Sequence, residues 1–567
     1  MQNKAEEDHA NRERAGNANK EDTVSGENGG MREETKRTIE RPEGRKERKK
    51  RRKIPSTQIT VGRIILHILL LLLLILTFAL GWANDNFGMV SFDEIVFHIN
   101  MPLEGTATNL LQDFMKQAVL RGFLVWLVLM ALVHFPAGKA IEIRTKLEDG
   151  GEKRFWIFPI RLPLVFLSAV SAVWFCWLFF TVDAKFSVVD YVKSQLQNST
   201  LIEKEYVSPE QVSIVFPEKK RNLICIYIES AESSTQDIAS GGLFKTNYIP
   251  EMTQIEAENV SFSQNDLYAG ASMAPGTTWT VGGLVAETAG IPLILPNNYN
   301  NVMGSYEYFL PGAVSLGDIL EKEGYHNYFF AGSGFTFGGR TEYFTQHGHY
   351  EIRDYPWAKR TGRIPADYNV WWGMEDAKVF EIVKEDLAEI AASGEPFNVS
   401  LLTADTHTPN GYICDLCRDD YNNQYANVWA CTSRQVFDFV EWCKEQDFYE
   451  NTTIFICGDH VSMEPYFYGS NTKDDYPGQC KRKVYNAFVN PVVQPAQEKN
   501  RIFTTMDMFP TILGSMGVTI ENERLGLGTN LFSEEETLSE KYGNEYLFEE
   551  LLKKSNFYNT YLLYPES

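Results

Sequence analysis

Eighteen consecutive residues starting at Ile65, ILHILLLLLLILTFALGW, decide the first thing this chain can be. A helix of that length and composition matches the hydrocarbon thickness of a bilayer, and it satisfies its backbone internally, as a lipid environment demands. The apolar segment runs over residues 64–82. Two further stretches, 119–135 and 162–182, are less uniform but carry little charge, so the sequence predicts three membrane spans. A cleaved leader is a poor description of the first: it starts some 60 residues in, has a long apolar core and ends without a small-residue cleavage site.

Basic residues orient the spans. The run from Arg45 to Lys53 precedes the first, and Lys139, Arg144, Lys146, Lys153 and Arg154 lie between the second and third. Both segments are expected on the cytoplasmic side, which sends the chain after about residue 183 to the other side. The loop over residues 84–117, with Asp85, Asp93 and Glu94, is expected outside too. A basic run this close to a span fits an anionic membrane surface better than nucleic acid, so no nucleic-acid partner is expected. The formal net charge of −22 is then concentrated in the exported part, and an anionic substrate there needs a metal or an arginine beside it.

The expected organisation is a disordered basic tail over 1–58, a membrane region over 59–183, a connector over 184–221, a catalytic domain over 222–533 and a helical or loosely attached tail over 534–567. Of the eight cysteines, Cys225 and Cys457 sit in apolar runs and read as buried thiols. Cys414, Cys417, Cys431, Cys443 and Cys480 cluster in an exported, loop-rich region where disulfides form, with Cys417–Cys431 the preferred bridge. Cys414-x-x-Cys417 lacks the second spaced pair of a zinc knuckle.

From residue 222 onward, strand-like and helical runs alternate, which predicts α/β organisation. Leu223 to Ile228 and Ile454 to Cys457 are short, continuously apolar and rich in β-branched residues, the signature of parallel strands covered on both faces. The first ends in Glu229-Ser-Ala-Glu232 and the second in Gly458-Asp459-His460. Ligands bind beyond the carboxyl ends of such strands. If the two are neighbours, Glu229 and Asp459 meet in one crevice, where paired acids require a cation; Glu232 is the alternative to Glu229, and simple turn capping the alternative to both.

The third element is Ala274-Pro-Gly-Thr-Thr-Trp-Thr280, a turn running into a helix with a small-residue face. It is expected to put Thr277 or Thr278 at a helix N-terminus, where a phosphate is favoured and where a threonine is also an ordinary cap. A threonine hydroxyl is a weak nucleophile until a divalent metal stabilises its alkoxide. Thr277 with Glu229, Asp459 and His460 is thus a self-consistent set.

Ile228-Glu-Ser230, Pro275-Gly-Thr277, Thr406-His-Thr-Pro409 and Gly458-Asp-His460 occur in the order that resembles the sulfatase-like branch of the alkaline phosphatase superfamily. Within it, the chain is most similar to membrane-anchored phosphoglycerol transferases, which include lipoteichoic acid synthases and enzymes that decorate periplasmic glucans. The resemblance covers about residues 222–533. It implies a three-layer α/β sandwich with a mainly parallel central sheet. It also implies Glu229, Asp459, His460 and Thr277 as metal ligands, Thr277 as the nucleophile that takes up the phosphoryl group, and His407 and Arg340 as substrate-binding residues. The implied cofactor is a divalent metal, most often Mn²⁺, with Mg²⁺ or Zn²⁺ compatible. The implied partners are phosphatidylglycerol as donor and a glycan, glycolipid or glycerol-phosphate acceptor at a multi-pass membrane location. The Cys/Ser-x-Pro-x-Arg motif of sulfatases is absent, and Thr277-Thr-Trp-Thr280 departs from the Thr-Ser-Asp-Ser-Glu type sequence of lipoteichoic acid synthases. A phosphoethanolamine transferase is the nearest chemical competitor, and a non-catalytic membrane-tethered sensor the alternative of another class.

Overall fold

The computed structural model of the chain describes residues 56–88, 90–99, 108–134, 141–146, 152–157, 164–294, 308–468 and 482–564. The expected disorder of residues 1–55, the basic run within them and Cys480 lie outside that set. Residues 56–58, expected in the disordered tail, begin a helix instead.

α1 (Ser56–Asn86) carries the aliphatic run. A short amphipathic helix, α2 (Phe92–Ile99), follows. α3 (Thr108–Phe114) passes through a π-helical turn into α4 (Arg121–His134), and α5 (Leu164–Phe186) comes next. Among the described residues, three segments are long and apolar enough to cross a membrane: Val61–Asn86, Leu110–Ala131 and Val165–Phe186. Only 28%, 17% and 11% of their apolar windows is buried by protein, so the rest of that surface needs lipid. The second segment starts earlier than the expected residue 119, because the π turn carries the helix on past Asp113 and Lys116. α1 and α4 meet closely: a Cβ on Gly122 would lie 2.9 Å from Ile75 Cγ1, and Trp126 Nε1 donates to His67 O at 2.9 Å.

The apolar runs after residue 221 form a six-stranded sheet: β1 (Asn222–Ile228), β2 (His326–Ala331), β3 (Glu351–Arg353), β4 (Phe397–Leu402), β5 (Thr452–Gly458) and β6 (Asn486–Val489). Their order is β3-β2-β4-β1-β5-β6, and only β6 is antiparallel to its neighbour. Alternation along β1 explains the layers. Leu223, Cys225 and Tyr227 enter one apolar cluster, while Ile224, Ile226 and Ile228 enter the other. Helices Thr280–Ala289 (α6), Asp376–Ala392 (α7), Gln424–Lys444 (α8), Met508–Ser515 (α9) and Asn544–Leu552 (α10) supply the outer layers. α6, α9 and α10 cover the first face; α7 and α8 cover the second. The fold is the expected three-layer, mostly parallel α/β sandwich. The C-terminal tail is helical and well anchored, since Leu547, Phe548, Leu551, Tyr558, Leu562 and Leu563 are all core residues.

Cys414, Cys417 and Cys431 come together as thiols, and Cys414 is central: its Sγ is 3.7 Å from that of Cys417 and 3.8 Å from that of Cys431. The expected pairing of Cys417 with Cys431 passed over this middle residue.

One buried acid sets a pH dependence on the fold. Glu256 is 3% exposed, accepts from Gln236 Nε2 and Ser261 Oγ, and burial pushes its carboxyl up to about 8. With the folded value above the unfolded one, its contribution is complete below about pH 4.5 and is lost as the pH rises through 8. Glu256→Gln is expected to flatten this loss, and thermal unfolding at pH 5 and pH 9 should show a smaller difference in Tm for the variant than for the parent protein.

Candidate active site

β1 and β5 are adjacent, with Ile228 opposite Gly458, so the next residue of each strand emerges at the same level. Those residues are Glu229 and Asp459. Gly458 permits the tight exit, because a Cβ there would lie 1.9 Å from Ala231 O. Glu229, Asp459 and His460 are all buried, and each offers a ligand atom within 4.8 Å of the others. The structure thereby brings together three of the residues expected from the sequence.

Their hydrogen bonds fix which atoms face inward. Asp459 Oδ1 accepts from the backbone N–H groups of Ser230 and His460, both at 2.8 Å. Ser230 Oγ donates to Glu229 Oε1 at 2.8 Å. His460 Nδ1 is 2.8 Å from the carbonyl of Val461, which can only accept, so Nδ1 carries a proton and the ring turns Nε2 toward the two carboxylates. That Nε2 is 3.4 Å from Glu229 Oε1 and 3.5 Å from Asp459 Oδ2. Asp459 Oδ2 and His460 Nε2 are buried with no hydrogen-bond partner. Two carboxylates and a ring nitrogen converging in a buried crevice match a divalent cation, and a two-oxygen, one-nitrogen set suits a transition metal or zinc.

The titration shifts carry the same signature. Burial and the charge of Glu229 push Asp459 up to about 7. Burial alone would raise Glu229 as well, but His407 and His460 outweigh it and hold it below the usual range. His460 is raised because Asp459 and Glu229 overcome its desolvation. The cluster is short of positive charge.

Thr277 is fully buried in the turn before α6. The expected helix N-terminus is not where it sits. The N-cap is Trp279 and the helix starts at Thr280, while Thr277 donates both its N–H (3.1 Å) and its hydroxyl (2.9 Å) to Ala274 O. Gly276, with φ of +80°, folds the turn back on itself, so that neither Thr277 nor Thr278 caps the helix. The turn borders the acidic cluster: Thr280 Oγ1 donates to Glu229 Oε2 at 3.4 Å, and a Cβ on Gly283 would lie 1.9 Å from Asp459 O.

Arg340 and His407 also face this cluster. Arg340 is 7% exposed, its Nε donates to Phe337 O at 3.0 Å and its Nη2 to Gly334 O at 3.1 Å. Burial lowers it to about 10 against the pull of Glu229 and Asp459, so it remains cationic at neutral pH. His407 Nδ1 donates to Thr408 O at 2.6 Å, which leaves Nε2 as the proton acceptor. Its ring packs 4.0 Å from that of Trp372, next to Trp371, whose φ of +46° is rare for a bulky residue. Desolvation lowers the pKa of His407.

Glu232 is not a member. Its carboxylate is taken by Arg482, with Nε to Oε2 at 2.7 Å, and by the N–H of Ser462 at 3.1 Å. Residues of α2, given no role from the sequence, are close instead: Asp93, Glu94 and His98. Glu94 Oε2 accepts from Thr278 Oγ1 at 3.4 Å, and burial pushes its carboxyl up to about 8 against the attraction of His460. The available signal was two acids inside a short amphipathic run, Phe92-Asp-Glu-Ile-Val-Phe97.

Comparison with known proteins agrees on the family. The sulfatase family model matches residues 221–518. The chain is 30% identical over 366 residues to phosphoglycerol transferase I of Salmonella choleraesuis, which takes in 63% of this chain and 44% of that protein. It is 30% identical over 355 residues to phosphoglycerol transferase I of Escherichia fergusonii, with 61% and 43% covered. The match thus spans less than half the length of these curated relatives. Solved structures include the lipoteichoic acid synthase LtaP of Listeria monocytogenes, at TM-score 0.45 and 14% identity over 59% of this chain and 82% of that one. Another is the lipooligosaccharide phosphoethanolamine transferase EptA of Neisseria meningitidis, at TM-score 0.45 and 10% identity over 80% and 84%.

Proposed function

This chain belongs to the sulfatase family, and from that premise we propose that it is a membrane-bound, metal-dependent phosphotransferase. It moves phosphoglycerol from phosphatidylglycerol to a hydroxyl of a glycan or glycerol-phosphate acceptor, by way of a phosphothreonine at position 277. The observation that carries the reading is the convergence of Glu229, Asp459 and His460, with Asp459 Oδ2 and His460 Nε2 buried and without a hydrogen-bond partner among the described residues. A threonine in the nucleophile turn, where sulfatases mature a cysteine or serine, argues for phosphoryl rather than sulfate ester chemistry.

Glu229, Asp459 and His460, with Thr277 as a further ligand, would hold the divalent ion, most probable as Mn²⁺ by resemblance to the phosphoglycerol transferases. Bound there, the ion supplies Lewis-acid stabilisation of an alkoxide and of phosphate oxygens. Thr277 Oγ1 attacks phosphorus. The new Oγ1–P bond replaces the bond from phosphorus to the diacylglycerol oxygen, and the proton lost by Thr277 ends on that oxygen. His407 Nε2, free to accept because Nδ1 is committed to Thr408 O, relays that proton. Arg340 stays charged beside the acids and binds the phosphate oxygens. In the second step an acceptor hydroxyl attacks phosphorus, the Oγ1–P bond breaks and Thr277 regains its proton. The contact of α2 with the catalytic turn supports one side of the membrane for both, and the basic segments support the extracytoplasmic side.

Incubating the full-length protein with phosphatidylglycerol, quenching without acceptor and mapping peptides by mass spectrometry tests this. A glycerophosphoryl adduct on Thr277 is the expected result. An ethanolamine-phosphate adduct formed only from phosphatidylethanolamine would transfer the assignment to that donor, and an unmodified Thr277 with either lipid would remove the covalent route.

A further inference from the structure

We propose that α2, the segment following the first membrane helix, is a working part of the active site, and that Asp93 is a positioning residue which holds the turn presenting Thr277. The inference rests on Thr277 being the nucleophile. Three of the four residues of Gly276-Thr-Thr-Trp279 are held by α2 or the residue before it. Gly276 donates its N–H to Asp93 Oδ2 at 2.9 Å. Thr278 Oγ1 lies 3.4 Å from Ser91 Oγ and 3.4 Å from Glu94 Oε2. The ring of Trp279 packs on that of Phe97 at 4.9 Å. Thr277 is thus gripped through the residues on both its sides, while its own side chain stays out of the grip.

α2 is itself tied to the rim of the site by the short link from α1. Gly88 donates its N–H to Met463 O at 2.6 Å, three residues after His460. Thr408 Oγ1, next to His407, donates to Asn86 O at 3.3 Å, and Tyr466 OH reaches Asp85 Oδ1 at 3.1 Å. α1 ends at Asn86 and α2 starts at Phe92. The helix that carries the aliphatic run therefore ends a few residues from the group that orients the nucleophile turn. The phospholipid donor of the proposed reaction would meet a catalytic turn already braced by the segment that follows α1. A backbone N–H bonded to a buried carboxyl oxygen fixes a turn, because breaking the bond leaves both groups unsatisfied, and small displacements of a nucleophile cost rate steeply.

The test uses the full-length protein in phosphatidylglycerol vesicles, with Asp93→Ala and Asp93→Asn. Asp93→Ala is expected to lower kcat for diacylglycerol release by about 10- to 100-fold, with KM changed less than about threefold. Asp93→Asn, whose amide oxygen accepts the same N–H, is expected to restore kcat to within about threefold. Amide hydrogen exchange over residues 274–280 should accelerate in Asp93→Ala, with exchange in β1 unchanged as proof of folding. Parent-level kcat in Asp93→Ala overturns the inference, as does unchanged exchange over 274–280, or an Asp93→Asn variant as impaired as Asp93→Ala. Because exchange needs no turnover, accelerated exchange in a protein that releases no diacylglycerol even as the parent would uphold the grip and reject the reaction instead.

Discussion

Thr277→Ala is expected to reduce release of diacylglycerol from phosphatidylglycerol by about 10⁴-fold or more, the scale on which loss of a covalent nucleophile acts. The backbone should survive the change. The turn is closed by the N–H of Thr277 to Ala274 O at 3.1 Å, which alanine retains, and the hydroxyl's bond to the same carbonyl adds only a second donor to it. Thr277 is fully buried and α6 begins three residues later, so the change removes one hydroxyl and one γ-methyl from the turn and leaves the side chains of Trp279 and Val281 intact. Thr277→Ser keeps an oxygen at the reacting position and is expected to retain part of the activity. A time course of labelled phosphatidylglycerol turnover, with circular dichroism to verify folding, reads both. Activity in the alanine variant within tenfold of the parent would show that another group attacks phosphorus.

Asp459→Asn is expected to be nearly as damaging through a different cause. Asp459 Oδ1 accepts two backbone N–H groups, and an asparagine oxygen can do the same, so the exit from β5 should hold its shape. Oδ2 is the atom that changes. As an amide NH₂ it can no longer bind a cation, and it points a donor at His460 Nε2, whose partner it becomes. The expected result is loss of the bound divalent ion, measured by elemental analysis of the purified protein, and a fall in activity on the order of 10³-fold, as the loss of several kcal/mol of charge stabilisation implies. Chelation of the parent protein should reproduce the loss and added Mn²⁺ should reverse it. Full metal content and full activity in Asp459→Asn would remove this carboxylate from the site.

The two strands that build the site were readable because both are short, apolar on both faces and closed by acids; Ile228 and Gly458 prove to be direct neighbours. Local pattern could not choose between Glu229 and Glu232. That choice is made by Arg482, 250 residues away, which neutralises Glu232 and leaves Glu229 to the cluster. Thr277 or Thr278 was expected at a helix terminus, but the helix signal gives no account of the backward fold at Gly276, and the N-cap is Trp279. α2 was missed for a related reason. Eight residues between membrane segments have no partner visible in the sequence, and their meaning arises only when Asp93 meets Gly276 across 183 positions. The cysteine trio shows the same limit, because spacing ranks pairs whereas the fold assembles three thiols.

Gly283 has one more implication. Its α-carbon lies so near the carbonyl of Asp459 that even a methyl group would sit at 1.9 Å from that oxygen. Helix and strand end are interlocked main chain to main chain, with no deformable side chain between them to act as a cushion. The approach of α2 to the turn before α6 is of another kind, made through the side chains of Asp93, Glu94 and Phe97, so a shift of α2 meets softer resistance than a shift of α6 against the end of β5.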